Sequence, residues 1–205
     1  MLFRSDTLRE IDTLNSNPND EAIYGITNFA DWTHEEKQSL LGLRNMPLPE
    51  DAEFADFSGL TAPERHDWTG TGKVNGVKDQ GSCGSCWAFA ANAAHESASA
   101  IQYGQLHDLS EQELVDCANG QWQNYGCSGG WYHWAWDYVI NKGGLAKQNE
   151  YPYKGVDQKC SANYAVRTAK MNSYSRVRTQ SAEELKTAIF KQPVAVAVDA
   201  SNWSQ

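Results

Sequence analysis

Apolar residues recur at helical spacing near the start of the chain. Leu8, Ile11 and Leu14 stand three residues apart among polar neighbours, and this pattern predicts an amphipathic helix over residues 2–14. Residues 23–30 are less polar and predict a short strand or an extended segment. The first part of the chain is therefore predicted to consist of short elements joined by polar turns.

Hydroxyl residues placed before acidic or apolar runs mark the starts of the other predicted helices. Thr33, with Glu36 three residues later, has the form of a capping box. Ser85 and Ser110 are predicted to cap the two helices that follow them. These later helices are predicted over residues 86–103, 111–117, 131–141 and 181–191, and the third is expected to end at Gly143-Gly144.

The composition of the chain changes near residue 60. Residues 47–63 carry three prolines and little periodicity, and this segment is predicted to be an exposed linker. All five cysteines and 13 of the 16 glycines lie beyond residue 60. From residue 164 onward the pattern favours strands, ending in an alternating run from Val194 to Val198. The change divides the chain into two parts, residues 1–60 and 61–205.

Charge and hydropathy exclude some classes of protein. The chain has 17 Lys and Arg against 26 Asp and Glu, a formal charge of −9, which disfavours nucleic acid as a partner. No apolar stretch is long enough to predict a membrane span. The first residues lack the apolar core of a secretory signal, and the interpretation favoured here is that the true N-terminus is missing.

The cysteines indicate disulfides and one free thiol. They stand at positions 83, 86, 117, 127 and 160. An odd number in a short window fits a disulfide framework formed in an oxidising compartment, with one thiol left over. Arithmetic alone leaves about fifteen ways to choose the free thiol and pair the rest.

Cys86 is predicted to be the reactive thiol. It opens the helix that begins after Ser85, where unpaired backbone N–H groups and the helix dipole stabilise a thiolate. The N–H of Cys86 and the carboxamide of Gln80 are candidates to bind the oxyanion that develops during acyl transfer. Because Cys83 and Cys86 also form a C-x-x-C pair, a redox or zinc role is an alternative, and so is a purely structural Cys86. No βαβ pattern and no second C-x-x-C supports the redox and zinc alternatives.

Several motifs resemble the papain family of cysteine peptidases, including the cathepsin L-like members. The run Cys83-Gly84-Ser85-Cys86-Trp87 has the form of the family's signature around the nucleophile. Segments 109–117, 126–130 and 151–153 and Cys160 match in order and spacing, and residues 25–31 resemble the inhibitory propeptide, with Thr27 in place of a more usual asparagine. The resemblance covers nearly the whole chain.

The resemblance assigns roles to individual residues. It implies that Cys86 is the nucleophile and Gln80 the oxyanion-hole side chain. It implies that Gly129 and Gly130 bind the substrate backbone and that Trp131 and Tyr132 line a pocket for apolar side chains. It also implies two disulfides, Cys83–Cys127 and Cys117–Cys160.

The fold implied is α+β, the papain-like two-domain fold. The helical left domain is expected to be nearly complete, the β-rich right domain truncated, and both preceded by a partial helical propeptide over residues 1–60. The family's histidine and asparagine lie roughly 130–150 residues beyond the cysteine, whereas 119 residues follow Cys86. None of the five histidines stands at the family's position, so this chain alone is predicted to be an inactive fragment of a zymogen.

The resemblance further implies peptide or protein substrates, a propeptide that inhibits its own enzyme, a monomer, and no metal or organic cofactor. A lysosomal, vacuolar or secreted location follows from the family and the disulfides. The alternative function is a non-catalytic protein of the same fold that binds proteases or peptides. A downstream histidine in the transcript would favour the enzyme, and an authentic stop codon would favour the binding protein.

Overall fold

The structure is a computed structural model that describes residues 3–43, 49, 52–162 and 167–200. Six α-helices occur in this part of the chain. They are α1 (Phe3–Asn15), α2 (His34–Gln38), α3 (Cys86–Tyr103), α4 (Glu111–Cys117), α5 (Tyr132–Lys142) and α6 (Ala182–Lys191). Two short 3₁₀ helices, Gly120–Trp122 and Gly126–Ser128, lie between α4 and α5.

The core is built where α3, α4 and α5 pack together. α3 and α5 form the most extensive helix contact, and α4 packs against α3. The apolar side chains buried between them belong to Trp87, Ala88, Ala91, Leu109, Leu114, Val115, Ala118, Ala135, Tyr138, Val139 and Leu145. Small alanines on α3 allow the neighbouring helices to approach closely, and the resulting core holds the start of α3 in place.

The predicted helix ends are largely confirmed. Thr33 accepts from the Glu36 N–H and Glu36 reaches back to the Thr33 backbone, so the capping box is present. The Ser110 side chain caps α4, and α5 ends at Gly143, which is left-handed with φ 76°. Ser85 is an exception. It occupies the N-cap position of α3, but its side chain makes no capping hydrogen bond, because its hydroxyl contacts Tyr153 instead.

The strand predicted at residues 194–198 is not formed, and of the two alternatives for residues 23–30, a strand or an extended segment, the strand is not formed either. The described part of the chain contains isolated β-bridges only. Val196 and Val198 are about half exposed, and no described residue forms a β-bridge with residues 194–198. Residues 164–166, which belong to the region predicted to be strand-rich, lie outside the described residues.

Part of the predicted linker is held against the body of the protein. Residues 44–48, 50 and 51 lie outside the described residues. Phe54, however, forms a parallel bridge with Arg176, which a freely exposed linker would not do. Pattern alone missed this contact because its partner lies more than a hundred residues further along the chain.

Candidate active site

The site is centred on Cys86, the first residue of α3. Two disulfides join Cys83 to Cys127 and Cys117 to Cys160, which are the pairs that the resemblance implies. Cys86 is the free cysteine and is half-buried. Its backbone N–H makes no hydrogen bond with any described residue. A free sulfur and a free N–H therefore lie together at the start of a long helix.

The loop before α3 is fixed on both sides of the nucleophile. The Gly84 N–H donates to the carbonyl of Cys127 at 2.9 Å, beside the Cys83–Cys127 disulfide. The indole N–H of Trp87 donates to the carbonyl of Gly126 at 3.1 Å. These contacts tie the start of α3 to the 3₁₀ helix that contains Cys127, so the sulfur has a rigid support.

The carboxamide of Gln80 lies beside this loop. Its Nε2 donates to the carbonyl of Cys83 at 2.9 Å and to the carbonyl of Leu40 at 3.0 Å. The first hydrogen bond orients the amide toward the nucleophile loop. The second joins it to a residue of the propeptide-like part of the chain.

Tyr153 connects Gln80 to the start of α3, a role for its side chain that sequence analysis did not predict. Its hydroxyl donates to the carbonyl of Gln80 at 2.8 Å and lies 2.6 Å from the hydroxyl of Ser85. Because the Tyr153 proton is engaged by Gln80, Ser85 is the donor in the second contact. Burial raises the pKa of Tyr153 above its usual value, with a weaker opposing effect from Ser85, so the phenol stays protonated and keeps this arrangement.

Gly129 and Gly130 lie just before α5 and are held through their backbones. The Gly129 carbonyl accepts from the Tyr125 N–H at 2.9 Å, and the Gly130 N–H donates to the carbonyl of Gly42 at 2.9 Å. A side chain at Gly130 would collide with the amide oxygen of Asn124, which itself accepts from the Trp131 N–H at 2.8 Å. Asn124 is a second residue that sequence analysis missed, since an isolated asparagine in a loop carries no motif.

Trp131 and Tyr132 begin α5 directly after Gly130. Trp131 is 7% exposed, whereas Tyr132 is half-buried. The two rings meet edge to face, with centroids 5.6 Å apart, and the Tyr132 ring also lies 5.3 Å from that of Trp136. Burial raises the pKa of the Tyr132 hydroxyl. The face next to Gly130 is therefore aromatic and largely apolar.

Residues 40–43 contact both Gln80 and Gly130. Besides the hydrogen bonds that Leu40 and Gly42 accept, Leu43 forms a parallel bridge with Gly130. A Cβ placed on Gly42 would lie 3.0 Å from the Cys86 Sγ and would overlap the carbonyl oxygen of Gly84. Only a glycine fits this close to the sulfur. Sequence analysis did not single out Gly42, because the residue belongs to no motif.

No histidine is hydrogen bonded to Cys86. All five histidines lie in the described residues, and none of them makes such a bond. His66 stacks on Trp68 and Phe190, and His133 is buried among the aromatic residues of α5. Within the described residues, the arrangement therefore presents a free thiol and hydrogen-bond donors without an imidazole bonded to the sulfur.

Among the described residues, no group of three or more His, Cys, Asp or Glu side chains is arranged to hold a metal ion. The helices in the same part of the chain are too short or too polar to span a bilayer.

A helix-borne free cysteine flanked by two disulfides, a glutamine and a glycine pair is the arrangement of a thiol protease. The family model described as papain family cysteine protease matches residues 62–205, and the chain belongs to this family. Germination-specific cysteine protease 1 of Arabidopsis thaliana is 41% identical to it, over 95% of this chain and 54% of the relative. Fruit bromelain of Ananas comosus is 36% identical, over 98% of this chain and 57% of the relative.

The solved structures agree on the fold. A recombinant stem bromelain precursor matches with a TM-score of 0.84 and 36% identity, covering 98% of this chain and 65% of the other. The chain thus has the papain-like α+β fold, and it spans about half the length of the curated relatives it matches.

Proposed function

We propose that this chain carries the nucleophile, the oxyanion site and the peptide-binding wall of a cysteine peptidase. Cys86 is the nucleophile, and its backbone N–H and the carboxamide of Gln80 bind the developing oxyanion. Gly129 and Gly130 bind the backbone of an extended peptide, and Trp131 and Tyr132 contact its side chains. The observation that carries the proposal is the backbone of residues 40–43, which is hydrogen bonded to Gln80 and Gly130 beside the sulfur.

The proposed chemistry is acyl transfer through a thioester. The sulfur of Cys86 bonds to a peptide carbonyl carbon, the C–N bond breaks, and the amine leaves with a proton. Water then hydrolyses the thioester. In this chemistry an imidazole takes up the thiol proton and returns it to the leaving amine. The five histidines described here do not supply that group.

We therefore expect the 205-residue polypeptide by itself to show no measurable turnover. A fluorogenic dipeptide amide with an apolar residue next to the cut is a suitable substrate, because the wall beside Gly130 is aromatic. The measurement is steady fluorescence release by the purified polypeptide, before and after its residues 1–60 are removed by an added protease. Steady release that disappears in the Cys86→Ala variant would contradict the expectation.

The segment 40–43 supports the proposal that residues 1–60 are an inhibitory propeptide and residues 61–205 the peptidase portion. Its carbonyls occupy the donors of Gln80 and Gly130, which a substrate would need. Leu43 of the segment also forms a parallel bridge with Gly130, so the segment contacts the glycine that is proposed to bind the substrate backbone. While the segment stays in place, it excludes a substrate from the sulfur.

Gly42→Ala is expected to displace this segment. The new Cβ would overlap the Gly84 carbonyl, and Gly84 is held by Cys127, so the segment has to move rather than the wall. Overpacking of this kind costs about 1–3 kcal/mol, and we expect alkylation of Cys86 by iodoacetamide to become at least roughly fivefold faster. The rate is measured by mass spectrometry on unreduced protein.

Gly25→Ala is the matched control, because a Cβ at Gly25 meets nothing within 4 Å. It should leave the alkylation rate unchanged. Equal rates in the native chain and in Gly42→Ala would show that residues 40–43 do not shield the sulfur. Labelling at a cysteine other than Cys86 would contradict the assignment of the nucleophile itself.

The proposal also covers the location of the protein, its substrates, its oligomeric state and its partners. Two disulfides and the family fit a secreted, lysosomal or vacuolar protein. We propose peptide or protein substrates, a monomer, and no role for nucleic acid. The lack of a histidine beside Cys86 favours one alternative, a non-catalytic protein that binds peptides in the same cleft. Turnover by a longer product of the same gene would decide for the peptidase.

A further inference from the structure

A second segment of the predicted linker is docked on the protein, at a surface separate from the cleft. The Arg176 N–H donates to the carbonyl of Glu53 and the Ala55 N–H donates to the carbonyl of Arg176, both at 2.9 Å. These two bonds form the parallel bridge between Phe54 and Arg176. Arg176 thus binds the backbone of residues 53–55 in an extended form, as in β-strand addition.

Side chains strengthen this contact through cation–π geometry. The Arg176 guanidinium carbon lies 4.2 Å from the centre of the Phe54 ring, and that of Arg178 lies 5.3 Å from it. The Lys191 ammonium lies 6.0 Å from the centre of the Phe57 ring. Such contacts fall within the range in which a cation is attracted to the face of an aromatic ring.

Charge is complementary across the same contact. Hydrogen bonds from Ser58 are the main cause that lowers the pKa of Asp56, and the positive charges of Lys191 and Arg178 act weakly in the same direction. The docked segment, Glu53-Phe54-Ala55-Asp56-Phe57, carries two acidic residues. The surface that receives it carries the three basic ones.

This basic surface is supported by contacts that do not involve the docked segment. Arg178 forms an ion pair with Glu184 of α6, and Lys191 is the last residue of the same helix. α6 is itself fixed from the other side, where the Trp68 indole N–H donates to the carbonyl of Ile189 at 2.7 Å. The surface should therefore persist when the docked segment leaves it.

We propose that Arg176, Arg178 and Lys191 form an exosite for an extended peptide of alternating acidic and aromatic character. Residues 53–57 of the same chain occupy the exosite in this structure, and a peptide of the same sequence binds there in trans once they are displaced. A tethered segment has an effective concentration of about millimolar, so the native chain hides the exosite from other peptides. This inference goes beyond the peptidase proposal and does not depend on it, because none of its tests measures turnover.

Hydrogen exchange tests the docked state in the full chain. The Arg176 amide should exchange slowly in the native chain, and Phe54→Ala should make it roughly fivefold faster, because one ring contact with two cations is lost. Phe54 is 45% exposed, so its loss should leave the fold intact. The Thr168 amide, which donates to Leu145 at 2.8 Å elsewhere in the protein, is the internal control and should not change.

Binding in trans is tested with a fluorescent peptide of residues 52–59. The double variant Phe54→Ala, Phe57→Ala should bind this peptide at least roughly tenfold more tightly than the native chain, because the tethered competitor is weakened. Adding Arg176→Ala should weaken binding roughly fivefold. Adding Lys159→Ala, which removes an exposed cation elsewhere, should not.

Two results would overturn the exosite. One is an Arg176 amide that exchanges equally fast in the native chain and in Phe54→Ala. The other is a peptide that binds the native chain and the double variant equally, or binds neither. A failure of the Gly42 experiment would leave both of these measurements unaffected, since they probe a different segment.

Discussion

Glu113→Ala is expected to lower the free energy of unfolding by about 3–5 kcal/mol. The Glu113 side chain is fully buried in α4. It accepts from the Tyr138 hydroxyl at 2.8 Å and from the Ala146 N–H at 2.7 Å, and it forms an ion pair with Arg167. Alanine would leave these buried donors without their acceptor and Arg167 without its counter-charge. The measurement is chemical denaturation of the full chain with its disulfides intact.

Two further variants test whether the loss of unfolding free energy comes from the buried charge of Glu113. Glu113→Gln keeps the size of the side chain and one acceptor oxygen, so its loss should be clearly smaller than that of alanine. Asp6→Ala removes the partner of Arg9 in a surface pair whose side chains are 73% and 74% exposed, and it should cost at most about 0.5 kcal/mol. A Glu113→Ala variant as stable as Asp6→Ala would show that the ion pair does not hold α4 in place.

The sequence predicted those features that depend on neighbouring residues. Thr33 and Ser110 cap the starts of their helices and Gly143 caps the end of α5, as predicted. These predictions succeed because a helix cap is formed by residues within one turn of the helix end. The start of α3 at Cys86 was predicted as well, although the Ser85 cap on which that prediction rested is not formed.

Contacts between distant parts of the chain were not predictable in this way. Ser85 has the sequence position of a capping residue, but Tyr153, far along the chain, takes its hydroxyl. The run from Val194 to Val198 has the pattern of a strand, but strand formation needs a partner strand. Gly42 belongs to no sequence motif, and only the folded chain brings it next to the Cys86 sulfur.

Buried charge was the least predictable feature of all. Glu111 and Glu113 follow a cap and look like exposed residues of a first helical turn, yet both are almost completely buried. Their partners, Lys78 for Glu111 and Arg167 for Glu113, lie 33 and 54 residues away. A pattern of polar and apolar positions cannot show such pairs, since it treats every acidic residue as solvated.

The two docked segments suggest how the propeptide-like part is attached. Residues 40–43 bind through backbone hydrogen bonds in the cleft, and residues 53–57 bind through one backbone bridge and three cations outside it. The first contact blocks the proposed nucleophile, while the second involves no residue of the site. Loss of one contact therefore need not release the other, and Gly42→Ala and Phe54→Ala should act independently.

His95 should make the protein less stable in acid. It is 6% exposed in the middle of α3, and neither ring nitrogen makes a well-formed hydrogen bond with a described residue. Burial lowers its pKa from 6.5 to about 4, and the nearby backbone of Ala169 offsets this only in part. The positive charge of His107 acts weakly in the same direction as burial.

The sign of the pH effect follows from this lowered pKa. Between about pH 6.5 and pH 4 the unfolded chain binds a proton at His95 and the native chain does not, so stability falls as the pH is lowered. At pH 5 the loss should be roughly 2 kcal/mol relative to pH 7.5. Burial raises the pKa of Glu96 and of Glu111, and these carboxyl groups act in the opposite direction.

His95→Gln removes the titrating group and isolates its contribution, because Glu96, Glu111 and His107 remain in both proteins. The difference in unfolding free energy between the native chain and His95→Gln should shift by roughly 2 kcal/mol in favour of the variant between pH 7.5 and pH 5. His34→Gln, which removes an exposed imidazole elsewhere in the protein, is the control. If the difference for His95→Gln does not change with pH, native His95 takes up a proton as readily as the unfolded chain does. A shift of the expected size would mean that His95 itself lowers the stability of the folded chain in an acidic compartment, which is one of the proposed locations.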